Sequence, residues 1–182
     1  MGLGHQRPNL GCLMETKIET FPEDIILDWQ DYRAYYSHSH GHSVSGIIRI
    51  ASNVFSPQLA NKRDLLVYLP PSYHHSERHY PVIYMQDGQN LFDNATSYAG
   101  EWGVDETMEY LALQEGLEAI VVGIANAGIH RIDEYSPFRD GRLGGGRGDE
   151  YLRFIVDTLK PQIDTEFRTL PGRRYTGILG SS

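Results

Sequence analysis

The sequence has very little cysteine: Cys12 is the single example among 182 residues. One cysteine cannot form an intramolecular disulfide, so a disulfide-stapled fold is excluded. Reducing compartments favour chains without disulfides, and we therefore expect the protein to be cytoplasmic.

Long hydrophobic runs are also missing. No stretch approaches the roughly 18 consecutive apolar residues that a membrane-spanning helix needs. Residues 1–11 contain His5 and Arg7 but no apolar segment of the kind found in signal peptides. We expect no membrane partner and no cleaved leader, and either Met1 or Met14 can be the start of the protein.

Positive charge is in the minority. Lysine and arginine total 16 against 24 acidic residues, which gives a net charge of -8, and no long basic run offers a local exception. Nucleic acid is therefore not an expected partner. The hydrophobic fraction of 40% and the charged fraction of 22% are ordinary for a globular protein. The length corresponds to about one domain.

The first quarter of the sequence is polar and irregular, and the remainder has the pattern of a folded domain. We interpret residues 1–44 as a leader and irregular extension, and residues 45–182 as the domain. Apolar or β-rich runs within and beside this domain predict strands at 44–50, 64–69, 81–85, 119–125 and 175–179. The runs at 81–85 and 119–125 do not alternate with polar residues, which is typical of strands buried on both faces.

Two segments between these runs have helical spacing. The first contains Val104, Met108, Leu111 and Ala112, and two acidic residues in its first turn complement the helix dipole. The second should begin near Asp149, with the helix breaker Pro161 near its later part. Its apolar face is predicted to contain Leu152, Ile155, Val156 and Leu159.

The order of these strands and helices predicts the fold class. It favours an α/β fold with a mostly parallel sheet, right-handed crossovers and helices on both faces.

Several sequence blocks occur together in a fixed order. The main ones are VYLPPSY at residues 67–73, YMQDGQNLF at 84–92 and GILGSS at 177–182. Two further blocks are EWGVDE at 101–106 and VGIANA at 122–127. This succession resembles the serine esterase family of the α/β-hydrolase fold that contains enterochelin-esterase-like proteins, S-formylglutathione hydrolase and feruloyl esterases. The resemblance implies the amino-terminal part of such a domain.

The last block resembles the start of the nucleophile elbow of that family, G-x-S-x-G-G. Gly180, Ser181 and Ser182 match its first three positions, so the resemblance assigns Ser182 as the catalytic nucleophile and implies a domain truncated at the elbow. Without the earlier blocks Ser182 would be an ordinary terminal serine. In the family the triad Asp and His follow the serine in the chain, which places both beyond residue 182.

The resemblance also points to residues after the third predicted strand. It assigns one oxyanion-hole N–H to Gln89, which follows Asp87 and Gly88, and the other to the residue after the nucleophile. The alternative for Gln89 is a plain turn, because Asp-Gly is a common turn dipeptide. Trp102 is a candidate for lining the substrate pocket, with a core position as its alternative.

No metal or organic cofactor is expected from the histidines or the glycine cluster. The groups His38, His40, His42 and His74, His75, His79 lack a Cys or a clear carboxylate partner at ligand spacing, so we interpret them as solvated loop residues. The glycine cluster at residues 141–148 lacks the Gly-Lys-Ser/Thr ending of a phosphate loop.

Three functions remain open for the sequence. The first is a serine esterase that cleaves a small-molecule carboxylic ester through an acyl-enzyme in the full-length parent, this chain being inactive alone. The second is a non-catalytic truncated fragment or association module, which would self-associate through the exposed sheet edge at residues 175–179. The third is an acyltransferase on the same fold.

Overall fold

A computed structural model of the chain describes Met1 and residues 27–38, 40–98 and 100–180. The nucleophile candidate Ser182 and its neighbour Ser181 lie outside these residues, as do residues 2–26 of the predicted leader. The domain boundary after residue 44 stays a prediction.

Eight strands occur in the described part of the chain. They are β1 Gln30–Asp31, β2 Ile47–Ser56, β3 Asn61–Leu69, β4 Val82–Gln86, β5 Ile120–Ile124, β6 Arg139–Asp140, β7 Gly144–Gly145 and β8 Thr176–Leu179. Six of them form one sheet in the order β1-β2-β3-β5-β4-β8, and β6 pairs with β7 in a small separate ribbon. The sheet is mixed. It is antiparallel from β1 to β5 and parallel where β4 pairs with β5 and β8.

The centre of the sheet is the part that the sequence predicted best. All five residues of β5 are buried, and β4 begins and ends within one residue of the predicted run. Two-sided burial explains why these runs are apolar throughout instead of alternating.

Helices cover both faces of the sheet, as predicted. The helical elements are α1 Tyr32–Tyr35, α2 Val104–Glu115, α3 Arg131–Tyr135, α4 Gly148–Arg153, a π-helical segment Phe154–Leu159 and α5 Lys160–Glu166. One face packs Tyr32 and Met108 of α1 and α2 against Leu66. The other face packs Phe154 and Ile163 against its own set of strand residues. The α/β class is therefore confirmed.

The helix predicted near Val104 is confirmed as α2. It ends at Glu115 and is capped by Gly116, whose left-handed conformation lets its own N–H donate to the carbonyl of Ala112 and the N–H of Leu117 donate to the carbonyl of Leu111. This glycine termination is the common way in which a helix satisfies its last carbonyl groups.

The predicted face of the second long helix is partly wrong. Ile155 and Leu159 are buried, but Leu152 is 49% exposed and Val156 58% exposed. The buried face instead contains Tyr151, Phe154 and Ile155, which have the i, i+3, i+4 spacing of an α-helix, so Leu152 and Val156 lie to one side of it. Residues 154–159 wind as a π-helix, in which the N–H of Lys160 donates to the carbonyl of Ile155, and Leu159 and Ile163 are buried as well.

Pro161 lies near the later part of this helical stretch, as predicted, and does not end it. Helical structure continues to Glu166, with Pro161 in the first turn of α5. Proline is tolerated there because the widened π turn in front of it relieves the clash with a preceding carbonyl.

At the end of the described chain, β8 pairs with β4 and is the last strand in the sheet order. Ile178 and Leu179 are each 52% exposed. Self-association through this edge stays a prediction.

Among the described helices, none combines the length and the apolar character that crossing a membrane requires.

Candidate active site

Three strands end at one edge of the sheet and bring the candidate residues together. Because β4 is parallel to both β5 and β8, the carboxyl ends of all three lie at the same edge. Asp87 directly follows β4, as predicted, Asn126 comes two residues after β5, and Gly180 follows β8. Ligands bind at such an edge in open α/β sheets.

Asp87 opens the turn after β4 in a left-handed backbone conformation, with φ 55° and ψ 46°. For a residue with a side chain this conformation costs on the order of 1–3 kcal/mol. Three hydrogen bonds to the carboxylate of Asp87 offset this backbone strain. Arg131 donates from Nε to Oδ1 at 2.8 Å and from Nη2 to Oδ2 at 2.7 Å. Asn126 donates from Nδ2 to Oδ1 at 2.7 Å.

The same contacts decide the charge of Asp87. Burial alone would raise the pKa of this carboxyl, but the hydrogen bonds from Arg131 and Asn126 hold the pKa below its ordinary value. The contact with Asp87 in turn raises the pKa of Arg131. An ionised carboxylate engaged in this way is a poor proton acceptor, so Asp87 fixes the shape of the turn and does not act as a base.

Arg131 is placed by the short helix α3, which is itself anchored in the core. Glu134 of α3 accepts two hydrogen bonds from Arg63 of β3, at 2.8 and 2.9 Å, and both side chains are fully buried. Tyr135 Oη accepts a hydrogen bond from the amide of Asp87 at 3.2 Å. The guanidinium of Arg131 is therefore held from the helix that follows β5.

Gly88 lets the turn lie directly on β5. A Cβ atom at this position would stand 2.6 Å from the carbonyl carbon of Gly123 and 2.8 Å from the nitrogen of Ile124. Only glycine fits such a close approach of two backbones.

Gln89, the predicted oxyanion-hole donor, occupies the middle of this turn. The hydrogen bonds of the turn are donated by Asn90 and Leu91 to the carbonyls of Asp87 and Gly88, so Gln89 comes before the first of these donors. Its side-chain Oε1 accepts from the amide of Asn126 at 3.2 Å.

A buried carboxylate, Asp93, supports the far side of the turn. It is 1% exposed and lies 2.5 Å from His42 Nδ1. It accepts hydrogen bonds from Tyr32 Oη at 2.8 Å and from the amide of Ser43 at 3.2 Å. Burial tends to raise the pKa of Asp93, but the hydrogen bond with His42 and those from backbone amides lower it below its ordinary value.

This network corrects one prediction and extends to the turn itself. His42 is not a solvated loop histidine, since its side chain is 21% exposed and contacts a carboxylate 51 residues away. Thr96 lies 3.5 Å from the hydroxyl of Tyr32 and donates its own hydroxyl to the carbonyl of Gln89 at 2.9 Å. The segment before β2 therefore braces the turn that carries Gln89.

Trp102 is not a core residue, because 42% of it is exposed. Its backbone N–H donates to the carbonyl of Asn90 at 2.9 Å, which places it next to the turn. Its assignment to the substrate pocket stays a prediction.

A groove of about 730 Å³ opens beside Gln89. Its lining includes Tyr98 and Ile129, which are each 93% exposed, together with Asn126 and Arg131. A lining that combines polar and apolar side chains is a common composition for a small-molecule site. A second cavity, of about 590 Å³, is lined by Pro71 and α2 residues at the other edge of the sheet, away from Gln89.

Gly180 connects β8 to this edge. A Cβ atom on Gly180 would overlap the side chain of Gln86, the last residue of β4. The strand that leads toward Ser182 therefore packs closely against the strand that leads toward Gln89.

The sequence predictions missed four residues of this arrangement: Asp93, Thr96, Asn126 and Arg131. Asp93 directly follows the YMQDGQNLF block and Asn126 lies inside VGIANA, so both were within reach of a motif-based argument. Arg131 and Thr96 carry no signal in the sequence, because their roles depend on loops that meet only in the fold.

Comparison with known proteins gives consistent matches. A family model described as Putative esterase matches residues 56–182. The uncharacterized protein YbbA of Bacillus subtilis is 31% identical over 134 residues, which are 70% of this chain and 49% of that protein. An endo-1,4-beta-xylanase/feruloyl esterase of Xylanibacter ruminicola is 25% identical over 175 residues, or 94% of this chain and 22% of that protein.

Among solved structures, an IroE-like serine hydrolase from Shewanella oneidensis matches with a TM-score of 0.53 and 25% identity. The match covers 67% of this chain and 39% of that one. The chain thus spans half or less of the length of each of these proteins.

Proposed function

The chain belongs to the Putative esterase family, and from this premise we propose that it forms the oxyanion-hole half of a serine carboxylic ester hydrolase. Family membership and the α/β-hydrolase fold, both expected from the sequence blocks, are confirmed. The serine mechanism, the site residues and the substrate are the parts that we propose.

In the proposed reaction Ser182 Oγ attacks the carbonyl carbon of the ester while a base takes its proton. The carbonyl oxygen becomes an oxyanion, which accepts hydrogen bonds from the N–H of Gln89 and of the residue after Ser182. Collapse of this intermediate expels the alcohol, which takes up the proton, and leaves an acyl-enzyme. Water then attacks the acyl carbon and releases the acid.

The observation that carries the proposal is the parallel pairing of β8 with β4. The register joins Val82 to Thr176 and Met85 to Leu179, and Gly180, which follows β8, lies against Gln86 at the end of β4. We therefore expect Ser182 at the same edge as Gln89, within reach of a carbonyl group held between them.

The contacts of Asp87 support the oxyanion-hole assignment. An oxyanion donor is effective only if it is held in place before the reaction, since reorientation would cost part of the stabilisation. The turn that carries Gln89 is fixed on one side by Arg131 and Asn126 and on the other by Thr96. A plain surface turn would not require this number of buried contacts.

We propose that these 182 residues are inactive alone. In the family order the triad Asp and His follow the serine, and every histidine of this chain precedes Ser182. A serine without its base keeps only the small rate enhancement that binding and the oxyanion hole supply.

For the substrate we propose a small ester with an apolar or aromatic part. The exposed side chains of Tyr98 and Ile129 in the groove beside Gln89 support this class. The feruloyl esterase match, whose name implies an aromatic acyl group, points in the same direction.

The test uses the parent protein with the residues that follow Ser182. We expect hydrolysis of p-nitrophenyl acetate and covalent labelling of Ser182 by a fluorophosphonate, both abolished in Ser182→Ala. Ser181→Ala is the matched control and should keep the label on Ser182. Labelling that survives Ser182→Ala, or turnover by the 182-residue chain alone, would show that the nucleophile or the base is misplaced.

Association through β8 is a second candidate, favoured by one observation. The outer edge of β8 is unpaired among the described residues, and Ile178 and Leu179 are half exposed beside it. Such an edge invites pairing with another strand. Size-exclusion chromatography of the chain at micromolar concentration tests this role: a concentration-independent monomer would rule it out.

A further inference from the structure

A cluster of three carboxylates lies at the start of α2, apart from the turn that carries Gln89. Glu101, Asp105 and Glu106 each offer one oxygen, and these oxygens all lie within 4.8 Å of one another. Three like charges at this separation repel each other unless something positive lies between them.

Each carboxylate accepts a hydrogen bond from the segment before β2 through one of its two oxygens. Asp105 Oδ2 accepts the amide of Ser45 at 2.6 Å, and Glu101 Oε2 accepts the hydroxyl of Ser43 at 2.5 Å. Glu106 Oε1 accepts the hydroxyl of Ser45 at 3.2 Å. The cluster is therefore held together by residues distant in sequence, and each carboxylate keeps a second oxygen.

Two of these second oxygens are buried without a partner. Asp105 is fully buried, and among the described residues neither its Oδ1 nor Glu101 Oε1 has a hydrogen-bond partner. Asp105 uses Oδ2 for the hydrogen bond from Ser45, so Oδ1 is the oxygen of this carboxylate that is left without a donor. A buried carboxylate oxygen without a hydrogen-bond donor destabilises the fold, and a ligand that binds this oxygen would remove the cost.

No basic side chain supplies the missing charge in the part of the chain that the structure describes. The ion pairs found there involve none of the three carboxylates. Arg33 reaches the same segment but donates to the carbonyl of Val44 at 2.6 Å.

We propose that Glu101, Asp105 and Glu106 bind a hard divalent cation of the calcium class, which ties residues 43–45 to the start of α2. All three ligands are carboxylate oxygens, the donors that such cations prefer. Calcium–oxygen distances are about 2.3–2.6 Å, so two oxygens on opposite sides of the ion stand about 5 Å apart, and a spread of 4.8 Å is compatible with one ion. Magnesium, with shorter bonds and a strict octahedron, fits this irregular set less well.

Calorimetric titration of CaCl₂ into the chelator-treated 182-residue chain is the direct test, with thermal melts monitored by circular dichroism in parallel. We expect one Ca²⁺ per chain, weaker binding of Mg²⁺, and a melting temperature that rises with Ca²⁺ concentration. Glu106→Gln should weaken Ca²⁺ binding at least tenfold, and because Glu106 is exposed this change leaves the core intact.

Glu115→Gln is the matched control, since it removes the same charge from the other end of α2 and should bind Ca²⁺ as the unmodified chain does. Equal losses in both variants would reduce the effect to nonspecific attraction and overturn the site. So would the absence of saturable binding and of any melting shift at millimolar Ca²⁺.

Asp105→Asn separates a bound cation from a proton shared between carboxylates. With a cation, this variant loses the response to Ca²⁺. If a shared proton holds the cluster instead, the variant is more stable than the unmodified chain near neutral pH and Ca²⁺ changes neither protein, which would refute the proposal.

Discussion

Replacing Gly88 by alanine would drive a methyl group into the backbone of β5. The added Cβ would lie 2.6 Å from the carbonyl carbon of Gly123, 2.8 Å from the nitrogen of Ile124 and 2.9 Å from that of Ala125. All three neighbours are backbone atoms at the end of a fully buried strand, so no flexible side chain can move aside. Either β5 or the turn with Gln89 must shift.

The size of the effect follows from two opposing contributions. Overpacking of a well-packed core costs about 1–3 kcal/mol, and the rigid backbone here places Gly88→Ala at the upper end of that range. Loss of chain entropy in the unfolded state offsets about 0.4–1 kcal/mol. We therefore expect the free energy of unfolding to fall by about 2 kcal/mol, which lowers the melting temperature by about 4–8 °C for a chain of this size.

Urea unfolding followed by circular dichroism measures this change. Gly177→Ala in β8 is the matched control, because a Cβ there meets nothing within 4 Å. It should leave the stability unchanged or raise it slightly. A Gly88→Ala variant as stable as Gly177→Ala would refute the close approach of the turn to β5, and with it the placement of Gln89.

Three further predictions concern charge and packing. Because the pKa of Asp87 is lowered in the folded state, its stabilising contribution is present above the unfolded pKa of about 4 and is lost as the pH falls further. The urea midpoints of the unmodified chain and of Asp87→Asn should therefore differ at pH 7 and converge in acid. Arg131→Ala leaves a buried carboxylate without its strongest donor and should cost about 1–3 kcal/mol in the same assay, with Arg131→Lys intermediate because it cannot bind both oxygens. Ile155→Ala should lower the free energy of unfolding by about 2–4 kcal/mol and Val156→Ala by less than about 0.5 kcal/mol, because only Ile155 is buried. Similar losses in both variants would mean that the two residues share a buried face.

The central strands β4 and β5 could be predicted because their burial is reflected in their own residues. In β5 every residue is buried, so the sequence has no polar position, and the run at 119–125 stands out without knowledge of the fold. In β4 three of the five residues are buried and only Gln86 is polar, so the run at 81–85 stands out almost as clearly. The mixed character of the sheet could not be predicted in this way, since the pairing of β3 with β5 depends on strand order and not on composition.

The second helix shows where periodicity fails. Leu152 and Val156 are apolar and correctly spaced for an α-helix, yet they are exposed, while Tyr151 and Phe154 are buried. Tyr151, Phe154 and Ile155 have the same helical spacing as the predicted set, so periodicity alone does not decide which of two overlapping apolar faces is buried.

The candidate site was predicted only where family-type blocks pass through it. Gln89 and Ser182 were assigned from such blocks, and their roles stay predictions. Arg131 was recognised only in the fold, where α3 places its guanidinium 2.7 Å from Asp87. A lone arginine after a Gly-Ile-His sequence has no feature that distinguishes it from a surface residue. Its role depends on the buried pair between Arg63 and Glu134, which are 71 positions apart.

Ser43 connects the turn that carries Gln89 with the acidic cluster of Glu101, Asp105 and Glu106, a connection that no sequence pattern indicates. Its amide donates to Asp93, which supports the turn with Gln89, and its hydroxyl donates to Glu101 of the acidic cluster. Its hydroxyl also accepts the amide of Asn94 at 2.8 Å. An ion that neutralises the cluster would therefore hold Ser43 in place and, through Asp93 and Thr96, restrain the carbonyl of Gln89. Occupancy of the proposed cation site should therefore affect the rigidity of the proposed oxyanion hole through Ser43 as well as through the hydrogen bonds from Trp102 to Asn90 and from Val104 to Leu91.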